Sequence, residues 1–371
     1  MPGLLENVDP NGLLEYSVVY TDRALNHMSQ DFQQVMKDLS TMLKKVYQGD
    51  SAVIIPGSGT FAMEAVCRQF ANEQDCMIIR NGWFSYRWSQ ILDQGKIAKS
   101  SLVHKASRDD HGYFSPAPIE EVCQSIAEKK PKLVFAPHVE TASGMMLSKD
   151  YITRLSQATR EVGGYLVLDC IASGTEWIDM QEHGVDILIS APQKGWSSSP
   201  CAGIVMMNKR ALELLQTTES SSFACNLKEW HKIMGAYLDG KHAYYATMPT
   251  DSLKNFRNTI QEMSDIGLER LRDAQKELGT EVRKMLEAKG FQSVAKEGFQ
   301  SDGVIVSYTK DPDIKSGAKF KEMGIQIAAG VPLQCDEPAD FQTFRIGLFG
   351  LDKLKDVEQA VSRIKKAIQE L

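Results

Sequence analysis

An α/β fold with a mainly parallel sheet, followed by a smaller C-terminal α+β domain, is predicted by three observations. Short apolar runs alternate with segments of helical periodicity between residues 52 and 207. The segments between those runs are long enough to cross over and return the chain in the same direction. After about residue 250 the texture changes to long charged helical stretches and a few short strands.

Before the first strand, Phe32, Val35, Met36, Leu39, Leu43 and Val46 recur at spacings of three and four, which predicts a helix with one face on the body of the protein. The runs AVII at 52–55, CMII at 76–79, LVFA at 133–136, YLVLD at 165–169, DILIS at 186–190 and GIVMM at 203–207 predict buried strands. Helices are expected over 60–73, 84–94, 116–129 and 149–163. Further on, one long charged helix is expected to reach Gly290, followed by strands near 291–295, 303–309 and 344–348 and a last amphipathic helix at 353–370. The expected division is a large domain at 1–250, including an N-terminal arm and helix at 1–48, and a small domain at 251–371. No internal repeat or low-complexity tract interrupts this plan.

The chain has 371 residues, 43% of them hydrophobic, with 42 Lys and Arg against 48 Asp and Glu. A net charge of −6 offers no general attraction for phosphate backbones or anionic lipid, so neither nucleic acid nor membrane is an expected partner. Small-molecule chemistry takes precedence. Seven cysteines are scattered without a CxxC pair, and seven histidines without an HxxxH pair, so reduced thiols and no metal site are expected. With neither a basic segment nor an apolar segment in MPGLLENVDPNGLLEY, the expected location is the cytoplasm.

Ligands of open parallel sheets bind beyond the carboxyl ends of the strands, so residues just after the apolar runs carry the most weight. Pro56-Gly57-Ser58-Gly59-Thr60 follows AVII and opens a helix. Its glycines let backbone N–H groups approach an anion, and the hydroxyls of Ser58 and Thr60 are expected to cap the helix. A plain capped turn would read the same way. Asp169 ends YLVLD, where a carboxylate serves either a turn or a ligand, and Lys194 follows DILISAPQ, where an amine can be held partly desolvated and nucleophilic. An anion cradle, a strand-end acid and a strand-end lysine together match what holding pyridoxal 5′-phosphate requires. N–H donors meet the phosphate, a carboxylate keeps the pyridine nitrogen protonated, and an amine forms a Schiff base with the aldehyde. Trp83 and Phe84, after CMIIR, supply a flat side chain to cover the ring.

In this order, GSGTFAMEA, NGWF, ETASG, LVLDCIAS, VDILISAPQKG and FRIGLFG resemble the class V, fold type I pyridoxal-phosphate-dependent aminotransferases. Within that family the likeness is to the alanine:glyoxylate, serine:glyoxylate and 2-aminoethylphosphonate:pyruvate group. The resemblance implies Lys194 as the Schiff-base lysine and proton shuttle and Asp169 as partner of the pyridine nitrogen. It also implies Ser58, Gly59, Thr60 and Gln193 at the phosphate, Phe84 rather than Trp83 as the stacking aromatic, and Thr141 near the phenolic oxygen. Tyr244 and Thr247 would serve the phosphate of a second subunit, making the site composite and the homodimer obligatory. Arg345 matches the arginine that fixes the substrate carboxylate with its planar fork.

The reaction so implied passes an amino group from a small donor (alanine, serine or 2-aminoethylphosphonate-like) to a small 2-oxo acid (glyoxylate or pyruvate) in ping-pong order. The family usually begins with a Gly-Pro-Gly-Pro-like segment, whereas here the region reads EYSVVYTDRALNHMS. Tyr20, Thr21 and Arg23 are therefore expected to face the substrate, with Arg23 reading a second anionic group. Two alternatives stand beside this reading: a cysteine desulfurase or C–S lyase using Cys335, ten residues before Arg345, and a non-catalytic dimer on the same fold.

Overall fold

The computed structural model describes residues 8–371, so the first seven residues of the expected N-terminal arm lie outside the description. The large sheet is built from β1 (Ser51–Pro56), β2 (Asp75–Arg80), β3 (Ser100–Lys105), β4 (Leu133–Pro137), β5 (Tyr165–Asp169), β6 (Ile187–Ser190) and β7 (Ala202–Met207). Its order is β1-β7-β6-β5-β4-β2-β3. β7 runs antiparallel to both neighbours, and the remaining pairs are parallel. The central strands are buried on both faces, which is why they read as unbroken apolar runs. β3 was not expected from its sequence. It is an edge strand, SSLVHK, exposed over its first half, and such a strand has little apolar signal to show.

Helices α1 (Gln30–Tyr47), α2 (Gly59–Phe70), α3 (Trp83–Gly95), α4 (Ile119–Lys129) and α5 (Lys149–Glu161) cover the sheet. Ser29 caps α1 by accepting from the Phe32 N–H, and Phe32, Val35, Met36, Leu39 and Leu43 are all buried. Each such side chain contributes about 1.5–3 kcal/mol through burial. Tyr47, at the end of α1, donates to Ser190 at 3.0 Å and accepts from the Trp196 indole at 3.2 Å. Trp196 also stacks on Trp177 with ring centres 4.3 Å apart. The loop after β6 is thereby clamped on both sides of Lys194.

Helices α6 (Lys209–Thr217) and α7 (Leu227–Leu238) lead to α8 (Thr250–Ile266) and α9 (Leu268–Ala288). The single long helix expected here is two, broken at Gly267. A three-stranded antiparallel sheet follows, β8 (Val304–Tyr308), β9 (Ala328–Ala329) and β10 (Thr343–Gly347), with β10 in the middle. The strand expected near 291–295 is reduced to isolated bridges at Ser293 and Ala295. The chain closes with α10 (Val357–Glu370). This C-terminal region is tied to the short hairpin that follows β4 by backbone bonds from Met146 to Phe299 (2.7 Å) and from Ser301 to Gly144 (2.8 Å). Among the described residues, no helix is long and apolar enough to cross a membrane.

Candidate active site

The carboxyl ends of β1, β5 and β6 converge on a cavity of about 210 Å³. Ser58, Gly59 and Thr60 line it from the start of α2, Asp169 from the end of β5, and Gln193 and Lys194 from the loop after β6. Phe84 and Thr141 complete the set that the resemblance implies within one chain.

Close backbone approaches bring these groups together. A Cβ on Gly59 would lie 2.5 Å from the end of the Ile171 side chain, so the glycine lets the first turn of α2 pack closely against the loop that follows Asp169. A Cβ on Gly195 would lie 1.9 Å from the carbonyl oxygen of Gly174, which locks the Lys194 loop to that same segment. The expected capping is not what the hydroxyls do. Ser58 makes no side-chain cap bond, and the Thr60 hydroxyl accepts from Arg87 at 2.9 Å. The first intrahelical donor is Phe61, bonded to the Ser58 carbonyl, so the N–H groups of Gly59 and Thr60 remain for a ligand.

Asp169 is 7% exposed and accepts from the Ile171 N–H at 2.9 Å. Burial pushes its carboxyl up to about 6, against the opposing pull of that N–H and of Lys194. Burial likewise holds the Lys194 ammonium below its usual range, while Asp169 and Glu140 act in the other direction. An amine so placed is more readily available as a nucleophile near neutral pH. Its nitrogen lies 5.7 Å from the centre of the Phe84 ring and 5.9 Å from that of Phe349.

Phe84 is held in place by Glu140, which follows β4 and whose fully buried carboxylate caps the first turn of α3. One Glu140 oxygen accepts from the N–H groups of Phe84 (3.2 Å) and Ala142 (2.9 Å), the other from the N–H (2.8 Å) and hydroxyl (2.7 Å) of Ser85. Negative charge at a helix N-terminus is favourable in itself. Glu140→Gln would turn one accepting oxygen toward these donors into a donor, and the expected cost is about 1–3 kcal/mol. A fall in thermal midpoint checks this, and an unshifted midpoint would deny Glu140 the anchoring role.

Arg345, on β10, donates to the carbonyls of Ala329 (2.8 Å) and Thr141 (3.4 Å), and its guanidinium carbon stands 5.6 Å from the Phe84 ring centre. It therefore faces the same aromatic ring as Lys194 from the C-terminal sheet. Tyr244 and Thr247 bond to each other at 3.1 Å in the segment before α8, but they do not line the cavity of their own chain, and Tyr244 is 54% exposed. Arg23 is exposed and also stands apart from the cavity. Tyr20 is turned inward and donates to the Met248 carbonyl at 3.1 Å, while Thr21 is exposed. Cys335 is buried, with its thiol bonded to the Arg80 carbonyl at 3.3 Å and pushed up to about 12 by burial. A thiol held this way is inert rather than nucleophilic.

Arg87, Glu140 and Phe349 were not among the sequence-derived candidates. A faint signal existed for two of them, since Arg87 lies one helical turn beyond Phe84 and Glu140 directly precedes Thr141.

Pyridoxal 5′-phosphate can be tested against this donor set. The Thr141 hydroxyl is buried without a partner among the described residues, and the Gln193 side-chain amide in the same cavity wall brings an NH2 group able to donate to a phosphate. Together with the free N–H groups of α2, the buried acid and the desolvated amine, they leave unmet the polar groups that this cofactor would satisfy.

Comparison with known proteins gives the same answer. The model of the family "Aminotransferase class-V" matches residues 12–358. An alanine–glyoxylate aminotransferase of Callithrix jacchus is 24% identical over 361 residues, spanning 93% of this chain and 82% of the relative. A 2-aminoethylphosphonate–pyruvate transaminase of Paraburkholderia xenovorans is 28% identical over 357 residues, spanning 94% and 90%. A solved alanine–glyoxylate aminotransferase from Nostoc sp. superposes with a TM-score of 0.79 at 22% identity, covering 93% of this chain and 88% of that one. With the family model matched across nearly the whole length, the chain belongs to the class V aminotransferases, which depend on pyridoxal 5′-phosphate.

Proposed function

We propose that this enzyme moves an amino group from a small donor, of the alanine, serine or 2-aminoethylphosphonate kind, to glyoxylate or pyruvate. The observation that carries the reading is the convergence of Lys194, Asp169 and the uncapped start of α2 on one cavity with Arg345 at its edge. The relatives named for alanine, 2-aminoethylphosphonate, glyoxylate and pyruvate support the choice of substrates.

The cofactor supplies an aldehyde that captures the donor's amine and a protonated ring that accepts the electron pair left when the α-carbon loses its proton. Lys194 would hold the cofactor covalently through its aldehyde, and its ε-amine, when free, would carry the proton that leaves the donor's α-carbon. Asp169 keeps the pyridine nitrogen protonated. Ser58, Gly59, Thr60 and Gln193 hold the phosphate, Thr141 the phenolic oxygen, and Phe84 covers one ring face. Arg345 grips the carboxylate of donor and acceptor in turn, so both half-reactions use one orientation.

The same reading makes the enzyme a homodimer in which Tyr244 and Thr247 reach the partner's phosphate and Arg23 faces a second anionic group of the substrate. The exposure of Tyr244 supports a partner covering this segment. A cytoplasmic location is supported by seven cysteines that are all unpaired. A boundary near residue 250, with Arg345 brought in by the smaller part, completes the proposal.

The direct test screens alanine, serine, 2-aminoethylphosphonate and taurine against glyoxylate and pyruvate, following the cofactor's visible band and the amino acid produced. At least one pair should turn over with ping-pong kinetics. Silence with every pair, together with sulfide release from cysteine, would reassign the reaction. Arg345→Gln should raise the KM for the oxo acid about ten- to a hundredfold, the worth of a charge-assisted pair. The cofactor band should stay intact, and an unchanged KM would place the carboxylate elsewhere.

A further inference from the structure

Arg87 is a charged residue of this cavity to which no task has been given. It projects from α3 one turn beyond Phe84, its guanidinium carbon 4.9 Å from the Phe84 ring centre, and donates to the Thr60 hydroxyl at 2.9 Å. It lines the cavity, and among the described residues no carboxylate comes within ion-pair distance of it. A half-buried guanidinium with a hydroxyl and an aromatic face as its neighbours, and no counter-ion, stands ready for an anion.

A phosphate monoester brings about −1.5 to −2 charges near neutral pH. The start of α2 answers with roughly half a positive charge from its aligned peptides. Gln193 and the hydroxyls of Ser58 and Thr60 are neutral. The full cations in the cavity wall are Lys194 and Arg87, and Lys194 is committed to the covalent link and the proton.

We propose that Arg87 is the charge partner of the cofactor's phosphate, bridging α3 to the first turn of α2 through the Thr60 hydroxyl. Its fork holds one phosphate oxygen while fixing the hydroxyl that holds another, so the ring-covering helix and the phosphate-binding helix are registered against each other. The inference rests on the cofactor reading above and adds a residue to it.

The test measures the Kd of pyridoxamine 5′-phosphate and of unphosphorylated pyridoxamine for the apoenzyme by calorimetry, in wild type, Arg87→Met and Arg87→Lys. Arg87→Met should weaken the phosphorylated ligand about ten- to a hundredfold, as expected for a charged hydrogen bond, and leave pyridoxamine binding unchanged. Arg87→Lys, which keeps the charge and loses the fork, should fall between. Equal weakening of both ligands would reduce Arg87 to structural support. Unaltered Kd values with a raised donor KM would turn it toward the substrate. A wild-type enzyme that prefers neither ligand would instead sink the cofactor reading itself, an outcome that the variants do not produce.

Discussion

Lys194→Ala is expected to yield a folded protein that lacks the covalently bound cofactor's visible band and does not turn over. Losing the proton carrier alone should cost about 10²- to 10⁴-fold, and losing the tether adds to that. The side chain makes no hydrogen bond to another element, so the fold should tolerate the change. Two readouts check it: absorbance of the purified variant, and single-turnover conversion of a donor with added cofactor. A small exogenous amine should restore part of the rate by standing in for the missing ε-amine. Full turnover without it would remove Lys194 from the chemistry.

Asp169→Asn should separate function from stability. Activity should fall by about 10²- to 10³-fold, since an amide cannot hold the pyridine nitrogen protonated through charge. The apoprotein should meanwhile gain stability at neutral pH. Ionising a buried carboxyl whose pKa is pushed up from 3.8 to about 6 costs the folded chain on the order of 3 kcal/mol. Below pH 3.8 the carboxyl is protonated in folded and unfolded chains alike, and the two proteins should be equally stable. As pH rises toward about 6, the unfolded chain releases the proton that the folded one still holds, and wild-type stability falls while the variant's does not. Above about 6 the gap is constant. Chemical denaturation of both apoproteins at pH 4 and pH 8 measures it, and an identical gap at the two values would show that Asp169 titrates normally.

The central sheet could be read from the chain because its strands are buried on both faces, and burial writes itself as uninterrupted apolar letters, as in YLVLD. β3 and β9 could not, for they lie at sheet edges where solvent relaxes the pattern. The break at Gly267 hides inside a helical periodicity that continues on either side. At the site, Asp169 and Lys194 were legible because each directly follows such a strand. Arg87 and Glu140 were not, since their meaning depends on partners 27 and 55 residues distant in sequence, at Thr60 and Ser85. The hydroxyls of Ser58 and Thr60 were assigned to the helix that they open, and only the spatial approach of α3 shows one of them engaged by a cation.

The contact between Gly195 and the Gly174 carbonyl has a consequence for how such an enzyme can diversify. With no clearance between those two loops, the distance from amine to acid is mechanically set, and neither can drift to suit a new substrate. Novelty in substrate range must then enter from the opposite wall, where Arg345 reaches over from its own strand, and protein engineers seeking altered selectivity should randomise there and leave the Gly195–Gly174 contact alone.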